Sequence, residues 1–441
     1  MHPKVLIVGT SPYNTQGPAR AFETYFSNWE KENLIQIFTS PIYPVPGHCK
    51  ELFQITDSQM LKRWINPSFK VGVEYRYEQL VNNPNRLTET TEKQSLISKL
   101  YRIGSKKNAL IYLLRGVLWK EKFWCTDRLK NWVDEFKPEC IFLAFSDDFF
   151  ILKIALYFAK RYDIPIVSCI GDDYFFNDKK TISPLYLYYR KKYKALVRSI
   201  FNHGGSAAYI GDKIRDKYNS YFGLKGETVY LTSEIKPHEF REINKENATF
   251  LYCGNLRLGR NRSLNDIGIA LSKINSNYKL YVYSNEQDEE FIKVLRNNTS
   301  IVFGGSIPYI EVMKKMSESD VLVVVEGFSD DDVNITRYSL STKVADSLAA
   351  GGAVLAYGSI ECGAIEYAQS TGCINVCTNR DDLENVIRSI INDVEKQKKN
   401  YETARIVVAK NHTLENSNKV FERIVAQSII EYSDKRRGTY E

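Results

Sequence analysis

The sequence predicts an α/β protein made of two doubly wound domains in tandem. Apolar runs of strand length alternate with amphipathic stretches of helical period, a pattern typical of mainly parallel sheets that helices cover on both faces. The chain has 441 residues, more than the roughly 100–200 expected for one domain. A polar stretch interrupts the alternation at residues 232–248, and we therefore predict the domain boundary there.

The first domain begins with a strand, a glycine-containing loop and a helix. Val5–Val8 is a continuous apolar run, and the following loop, GTSPYNTQGPAR, leads into an amphipathic stretch at residues 21–29. Residues 41–95 are rich in Pro, Asn and Tyr and remain unassigned, whereas residues 95–136 show helical spacing. Further strands are predicted at Leu34–Phe38, Cys140–Phe145, Pro165–Ile170, Ser206–Ile210 and Thr228–Leu231.

The second domain repeats the same alternation more regularly. Its predicted strands are Phe250–Cys253, Leu280–Tyr283, Ile301–Phe303, Val321–Val325 and Ala353–Ala356, with helices beginning at Ser263, Asp288, Tyr309 and Thr342. Residues 381–426 follow a helical pattern with Lys and Arg on one face. We assign residues 1–240 to the first domain and 241–410 to the second. Residues 411–441 are predicted to form a C-terminal helix that packs back on the first domain.

Composition excludes several classes of protein. Hydrophobic residues make up 43% and charged residues 26%, so the chain can bury a core, and its net charge of +7 identifies no partner. The eight cysteines lie mostly in apolar runs and indicate buried thiols in a reducing compartment. Cys373 and Cys377 lack a second Cys or His pair at zinc-ligand spacing, so structural thiols are favoured over a metal site. No apolar run has the length of a signal-peptide core or a membrane span, which predicts a cytoplasmic protein.

Two segments of the second domain combine the features of a phosphate site. Neither domain carries the glycine fingerprint of a dinucleotide fold or a P-loop. The segment 252–271 has Gly254 at the end of a strand, followed by Arg257, Arg260 and Arg262 before a helix. Three arginines converging on one helix N-terminus would suit a diphosphate, the alternative being a turn with solvated arginines.

The segment 336–358 is the second phosphate candidate. Ser341 and Thr342 stand where a helix should begin, and Lys343 lies in its first turn. Asp346 is three residues further on and therefore shares a helix face with Lys343. Hydroxyls and an ammonium beside helix amides can bind phosphate, and a nearby carboxylate can accept hydrogen bonds from ribose.

Together these motifs resemble the GT-B glycosyltransferases, nearest the retaining family-four type. The shared features are the glycine loop NTQGPAR, the GN-L turn followed by Arg, the GSIP turn at 305–308, and STKVADSLAAGGAVLA. Lys343, Asp346 and Gly351 match the family block SK-x-x-E-x-x-x-x-G-x-PV. The resemblance covers the first loop and most of the second domain. It implies the GT-B fold, two Rossmann-like domains facing a central cleft.

The resemblance also implies a nucleotide-sugar donor, UDP- or GDP-linked, with no cofactor, no metal and retention at the anomeric carbon. The diphosphate cations would be Arg262 and Lys343, and Asp346 would be the ribose ligand. We predict Asp173, Arg262 and Lys343 as catalytic residues. The full predicted donor set is Gly17, Gly254, Asn255, Arg257, Arg262, Ile307, Ser341, Thr342, Lys343 and Asp346.

Two positions depart from the family pattern. The family usually has Glu where Asp346 stands, and the first Glu of its paired carboxylates would fall at Tyr338. Glu326 and the acidic turn 330–332 are candidates to replace that carboxylate, a solvated loop being the alternative.

The acceptor is predicted to lie against the first domain. Asp172, Asp173 and Tyr174 follow a predicted strand in CIGDDYFFND, at the sheet edge that faces the cleft, and they are the predicted acceptor-binding residues. Gly17, Pro18 and Arg20 are further candidates for the cleft, although Gly17 can equally serve only its turn. The adjacent aspartates are similar to the Asp-x-Asp metal motif of GT-A enzymes, but the two-domain pattern argues against that fold.

Other polar residues of the first domain have simpler interpretations. Asp147 and Asp148 are predicted to cap a helix N-terminus. His203 precedes a strand on the predicted far side of the sheet, which argues against a catalytic role. Leu185–Arg198 and the region 102–122 interleave basic and aromatic residues, which suits either an anionic membrane surface at the inner face of the membrane or an ordinary surface helix with buried tyrosines.

The resulting functional hypothesis is transfer of a hexose from a nucleotide sugar to a saccharide or lipid-linked saccharide, in synthesis of a surface polysaccharide such as a capsule. Two alternatives stay open: a GT-B-fold nucleotide-sugar epimerase, and a catalytically silent scaffold protein, which the missing first Glu permits. Nucleic-acid binding is disfavoured, because the basic residues are not confined to one face and no recognised motif occurs.

Overall fold

The computed structural model describes residues 2–13, 20–82 and 109–437, and it contains two separate sheets. The first sheet has eight strands in the order β4-β3-β2-β1-β5-β6-β7-β8. All of its strand pairs are parallel except β3 with β4. The strands are β1 Val5–Val8, β2 Leu34–Phe38, β3 Glu51–Gln54, β4 Val73–Arg76, β5 Cys140–Ala144, β6 Ile166–Ile170, β7 Gly205–Tyr209 and β8 Glu227–Thr228.

The second sheet has six parallel strands in the order β11-β10-β9-β12-β13-β14. This is the Rossmann strand order, in which the chain reverses direction across the sheet between β9 and β12 and leaves a crevice at their carboxyl ends. The strands are β9 Thr249–Cys253, β10 Lys279–Tyr283, β11 Ile301–Gly305, β12 Val321–Val325, β13 Ala353–Tyr357 and β14 Asn375–Cys377.

Helices flank both sheets. Around the first sheet the described helices are Arg20–Phe26, Asp57–Ile65, Tyr77–Asn82, Ala109–Leu118, Glu121–Trp124, Asp127–Phe136, Phe149–Tyr162, Pro184–His203 and Asp212–Phe222, with a 3-10 turn at Lys31–Asn33. Around the second they are Arg260–Ile274, Glu289–Arg296, Tyr309–Glu318, Asp330–Thr336, Thr342–Ala350, Gly363–Thr371, Leu383–Asn392 and Val394–Asn411. None of the helices in the described ranges is both long enough and apolar enough to cross a bilayer.

The last helix, Leu414–Arg437, returns to the first sheet. It packs against the helix Arg20–Phe26 and against β7. Phe421 is fully buried there, with its ring 4.9 Å from that of Tyr25 and 5.2 Å from that of Phe26. Near the end of the helix, the Tyr432 hydroxyl lies 3.3 Å from Nε2 of His203, which also contacts the Ile164 carbonyl oxygen at 2.9 Å. His203 therefore has a structural role, because it joins this helix to the backbone of the first domain at Ile164.

Strands that are apolar throughout were predicted closely, because both faces of a parallel strand are buried. β12, with sequence VLVVV, is buried at every residue and has its predicted bounds. The weakly patterned region 41–95 contains β3, β4 and the described helices Asp57–Ile65 and Tyr77–Asn82, none of which was assigned. β4 is an antiparallel edge strand with no buried residue, so it lacks the apolar run that marks the central strands.

Candidate functional site

A cavity of about 380 Å³ opens at the carboxyl edge of the second sheet. Six of the predicted donor residues line it: Gly254, Asn255, Ile307, Thr342, Lys343 and Asp346. They come from three separate loops or helix starts, after β9, after β11 and before β13. The strand order brings these segments together, since the carboxyl ends of parallel strands share one edge. The sequence analysis missed four further lining residues near the ends of β10 and β11: Tyr283, Ser284, Asn285 and Tyr309.

Gly254 and Lys343 fit closely against each other. A Cβ atom added at Gly254 would lie 1.9 Å from Cε and 2.6 Å from Nζ of Lys343, so the ammonium group lies where any larger residue would place its side chain. Burial lowers the pKa of Lys343 to about 8, and the positive charge of Arg260 acts in the same direction. Binding of an anion next to this half-buried ammonium would stabilise its charged form.

The helix Thr342–Ala350 points its N-terminus at this cavity. Its N-cap residue, Ser341, has extended backbone and makes no side-chain capping hydrogen bond. The first-turn amides of such a helix carry a partial positive charge that favours an anion. Thr342 and Lys343 line the cavity from this first turn, whereas Ser341 does not. The first-turn backbone amides and the Lys343 ammonium together form a positively charged site that suits a phosphate group.

Asp346 lies one turn further along the same helix and is almost fully buried. Its Oδ1 accepts a hydrogen bond of 2.7 Å from the Ser233 hydroxyl. Ser233 belongs to the segment 229–248 that joins the two sheets, and no sequence pattern singled it out. The ribose carboxylate predicted from the resemblance is thus tied to the connection between the domains.

The three arginines after β9 do not converge, which corrects the sequence-based expectation. Arg257 pairs with Glu286 at 2.7 Å, Arg260 with Glu326 at 2.7 Å, and Arg262 with Asp332 at 2.9 Å. The Arg262 side chain is 68% exposed, and neither it nor Arg257 lines the cavity.

The helix on which two of these arginines lie begins at Arg260, three residues before its predicted start at Ser263. Gly259 allows this early start because it adopts a left-handed φ of +74° at the N-cap. Arg260 and Arg262 therefore leave the first turn in different directions, rather than both preceding the helix.

Glu326 is a buried partner of Arg260 and not part of a solvated loop. It follows β12, is 2% exposed, and accepts hydrogen bonds from two guanidinium nitrogens of Arg260, from Nη2 at 2.7 and 3.0 Å and from Nε at 3.1 Å. Burial raises the pKa of Glu326, and the charges of Arg260 and Lys343 oppose that rise. Asp332, in the acidic turn, is likewise bound to Arg262. Both candidate replacements for the missing family carboxylate are thus engaged with arginine.

Asp173 holds the loop after β6 in place. Its Oδ1 accepts hydrogen bonds from the backbone amides of Phe175 (3.0 Å) and Phe176 (2.9 Å) and from the Tyr218 hydroxyl (2.7 Å). The other oxygen, Oδ2, has no hydrogen-bond partner among the described residues. Burial raises the pKa of this carboxyl. One oxygen therefore has a structural role, and the second is buried without a hydrogen-bond partner among the described residues.

The loop after β6 also meets the second domain. Oδ1 of Asp172 accepts a hydrogen bond of 2.8 Å from the Ser339 hydroxyl, and the Phe176 ring lies 6.3 Å from that of Tyr338. Tyr174, the third predicted acceptor residue, lies within hydrogen-bond reach of Asp172. Ser339 and Tyr338 immediately precede the helix that carries Lys343. The predicted acceptor loop and the predicted donor helix thus face each other across the cleft.

The prediction that Asp147 and Asp148 cap a helix N-terminus holds only for the position of Asp148. Asp148 occupies the N-cap position of the helix Phe149–Tyr162, but its side chain makes no capping bond. Its Oδ1 lies 2.5 Å from Nη1 of Arg115, and Asp147 accepts a hydrogen bond from the Tyr112 hydroxyl. Burial raises the pKa of Asp148 to about 6, although Arg115 opposes the rise. These aspartates bind side chains of the helix Ala109–Leu118 instead.

Gly17 and Pro18 lie outside the described residues, and so do residues 102–108 of the predicted basic and aromatic region 102–122. Within the described ranges, no group of three or more His, Cys, Asp or Glu side chains could hold a metal ion. All eight cysteines are unpaired thiols, and five of them are buried.

The sequence matches no protein-family model and no curated protein. Solved structures do match over nearly the whole chain. HepE of Anabaena in complex with UDP aligns with 96% of this chain and 100% of its own, at 11% identity and a TM-score of 0.59. WaaG, a glycosyltransferase involved in lipopolysaccharide biosynthesis, aligns over 95% and 99%, at 12% identity and a TM-score of 0.53. A glycosyltransferase from Rickettsia africae aligns over 98% of both chains, at 12% identity and a TM-score of 0.53.

These similarities establish the fold. The chain has the GT-B architecture, with two parallel-dominated sheets and the cavity at the carboxyl edge of the second. The fold prediction is therefore confirmed. Sequence identity of about one residue in ten establishes only the fold, so the activity has to be argued from the residues of the site.

Proposed function

We propose that this protein is a glycosyltransferase that moves a hexose from a nucleoside diphosphate sugar, UDP- or GDP-linked, to a saccharide acceptor in surface polysaccharide synthesis. The observation that carries the proposal is Lys343 at the open N-terminus of the helix Thr342–Ala350, beside a cavity of about 380 Å³. A diphosphate would supply negative charge next to the Lys343 ammonium and the first-turn amides of this helix. Structures of HepE contain UDP or UDP-glucose, and WaaG is a glycosyltransferase involved in lipopolysaccharide biosynthesis; both similarities support the assignment.

Catalysis would consist mainly of positioning and charge stabilisation. As the bond between the sugar and the diphosphate breaks, negative charge grows on the leaving phosphate next to the Lys343 ammonium and the helix amides. Our proposal does not use Arg262, which is exposed and bound to Asp332. Arg260 is bound to Glu326 and does not line the cavity, so it contributes only the positive charge that also lowers the pKa of Lys343. Retention at the anomeric carbon and independence from metal ions are part of the proposal through the resemblance to family four.

On the acceptor side, we assign Asp173 a positioning role and give its unbonded Oδ2 to an acceptor hydroxyl. Asp172 and Tyr174 lie in the same loop, next to the Ser339 contact with the second domain. An acceptor bound there would reach the sugar from the first domain while the second holds the nucleotide. Opening of the Asp172–Ser339 hydrogen bond would widen the cleft.

The direct test has two stages. Thermal unfolding is measured with UDP, GDP, ADP and their sugars, since a ligand that binds only the native state raises its stability. The best donor is then incubated with and without saccharide acceptors, in EDTA and in manganese. Acceptor-dependent transfer that persists in EDTA supports the proposal. Release of epimerised sugar without acceptor would favour the epimerase, and no nucleotide binding would favour the scaffold.

We also propose that the protein attaches peripherally to a membrane through Leu185–Arg198 and that its acceptor is lipid-linked. The helix Pro184–His203 exposes Leu185, Leu187 and Tyr188 by 42%, 54% and 51%, and the neighbouring helix Ala109–Leu118 exposes Leu110 and Leu114 by 52% and 58%. Apolar side chains among lysines are typical of a surface that rests on anionic lipid. Sedimentation with phosphatidylglycerol vesicles measures this attachment, and Leu185→Glu with Leu187→Glu should weaken it.

The affinity for UDP should decrease as the pH rises above about 8. Lys343, whose pKa in the ligand-free protein is lowered to about 8, binds phosphate in its protonated form. Above that pH the ligand must first restore the proton, so affinity falls by up to about tenfold per pH unit. Calorimetry between pH 7 and 9.5 measures the effect, and buffers of different ionisation enthalpy reveal the proton uptake. Lys343→Arg keeps its charge and should flatten the profile; an unchanged slope in that variant contradicts the assignment.

Asp346→Asn should lower donor affinity by about 1.5–3 kcal/mol, the value of a hydrogen bond to a charged group. The amide oxygen can still accept the Ser233 hydrogen bond, so the fold should be retained. A 2′-deoxyribose donor should lose little further affinity in this variant, because the carboxylate that its hydroxyl would meet is gone. Additive losses in this cycle of enzyme and ligand changes would show that Asp346 does not contact ribose.

A further inference from the structure

The first domain contains a second, open cavity of about 770 Å³. It lies on the outer surface of that domain and is lined by residues of the helices Glu121–Trp124 and Phe149–Tyr162 and by Lys120. None of its lining residues belongs to the donor cavity or to the loop after β6. The glycosyltransferase proposal does not use it.

Positive charge dominates this cavity. Its lining includes Lys120, Lys153, Lys160 and Arg161, against the single carboxylate of Glu121. Arg161 is bound to Asp134 at 2.8 Å, whereas Lys153 and Lys160 form no ion pair with any described residue. Partial burial and the nearby charge of Lys192 lower the pKa of Lys153. Two ammonium groups that form no ion pair would be stabilised by an anion between them.

A buried hydrogen-bond donor in the same wall also lacks a partner. Trp124 lines the cavity and is 1% exposed, and its indole nitrogen has no acceptor among the described residues. The chain's other four tryptophans all donate from this nitrogen, to the Pro3, Leu118, Asp57 and Glu51 oxygens for Trp29, Trp64, Trp119 and Trp132 respectively. A buried donor normally has an acceptor, and for Trp124 none of the described residues supplies it.

Apolar rings border the cationic wall. The Lys120 ammonium lies 5.7 Å from the centre of the Trp64 ring, which is itself 5.2 Å from the Phe123 ring. Trp64 is 43% exposed and the adjacent Ile65 is 85% exposed. A ligand with both an anionic head and a hydrocarbon part would cover both surfaces.

We propose that this cavity binds the phosphate group of an anionic amphiphile, with the hydrocarbon part against Trp64. Phosphate oxygens accept hydrogen bonds from Lys153, Lys160 and the Trp124 indole, and no covalent step is involved. Two ammonium groups and one uncharged donor suit a tetrahedral oxyanion, which offers several acceptors at once. The site would hold a phospholipid at the surface of the first domain.

The experiment uses full-length protein labelled with 5-fluorotryptophan, whose five fluorine resonances report each indole. Trp124→Phe identifies the Trp124 resonance by its loss. Dihexanoyl phosphatidylglycerol should shift that resonance at concentrations at least tenfold lower than glycerol 3-phosphate, and octyl glucoside should not shift it. Absence of a shift with both phosphate probes overturns the site. Equal affinity for the two phosphates, or a shift with octyl glucoside, overturns the assignment to an anionic amphiphile.

Variants separate local recognition from general charge. Lys153→Glu with Lys160→Glu should weaken phosphatidylglycerol binding at least tenfold, whereas Lys398→Glu with Lys399→Glu, an equal change on the helix Val394–Asn411, should not. Trp124→Phe keeps the ring but removes the donor; calorimetry should show several-fold weaker binding with an unchanged unfolding temperature. The proposal would be overturned if both double lysine variants lost the same affinity for phosphatidylglycerol. It would also be overturned if Trp124→Phe and the Lys153→Glu, Lys160→Glu variant both kept full affinity.

Discussion

Replacing Lys343 with alanine should weaken UDP binding by roughly 10- to 150-fold, the equivalent of about 1.5–3 kcal/mol for a hydrogen bond that involves a charged group. The ammonium is half-buried beside the N-terminus of its own helix, so little bulk water screens its interaction with phosphate. The unfolding temperature of the ligand-free protein should change little or rise, because burial of this cation is itself unfavourable and lowers its pKa. Calorimetry with UDP and thermal unfolding of the ligand-free protein measure the two quantities.

Lys273→Ala is the matched control for this variant. Lys273 lies on the helix Arg260–Ile274 of the same domain, is 61% exposed and pairs with Glu384 at the surface. It should bind UDP as the wild type does, since an exposed charge at that distance is screened. A Lys343→Ala protein with wild-type affinity would refute the phosphate site, and equal losses in both variants would indicate only a general charge effect.

The part of the site that could be predicted from sequence is the part set by local pattern. Val321–Val325 and Val5–Val8 are apolar at every residue, so their strands and strand ends were clear. The helix beginning at Thr342 followed from hydroxyl residues before an apolar run, and this placed Lys343 and Asp346 one turn apart. Parallel strands then bring their loops to one edge, which is why six predicted residues line one cavity.

The remainder depends on contacts between distant parts of the chain. The direction of Arg262 follows from Asp332, which is 70 positions away, and the hydrogen bond of Asp346 comes from Ser233, which is 113 positions away. Side-chain partners of this kind leave no periodic signal. An arginine near a helix start is equally compatible with a ligand and with a protein carboxylate. The structure distinguishes them by geometry, and here each arginine has a carboxylate partner.

Gly254→Ala should reduce UDP binding about as much as Lys343→Ala, roughly 10- to 150-fold, while leaving the fold intact. The added methyl group would occupy the position of the Lys343 Cε, at 1.9 Å, and would force the ammonium out of its corner. The end of a lysine side chain can move at low cost, unlike backbone, so the free energy of unfolding should change by less than about 1 kcal/mol. Gly171→Ala, where a Cβ would meet nothing within 4 Å, is the matched control and should leave both quantities unchanged.

The double variant Gly254→Ala/Lys343→Ala decides whether the glycine acts through the lysine. Once Lys343 is truncated, the methyl group at position 254 has no ammonium to displace, so the double variant should bind UDP as weakly as Lys343→Ala alone. The coupling free energy would then equal nearly the whole effect of Gly254→Ala. Losses that add would instead mean that phosphate approaches the backbone at Gly254 directly. In that case the methyl group would exclude the ligand itself, and the close fit with Lys343 would be a packing feature of the ligand-free protein.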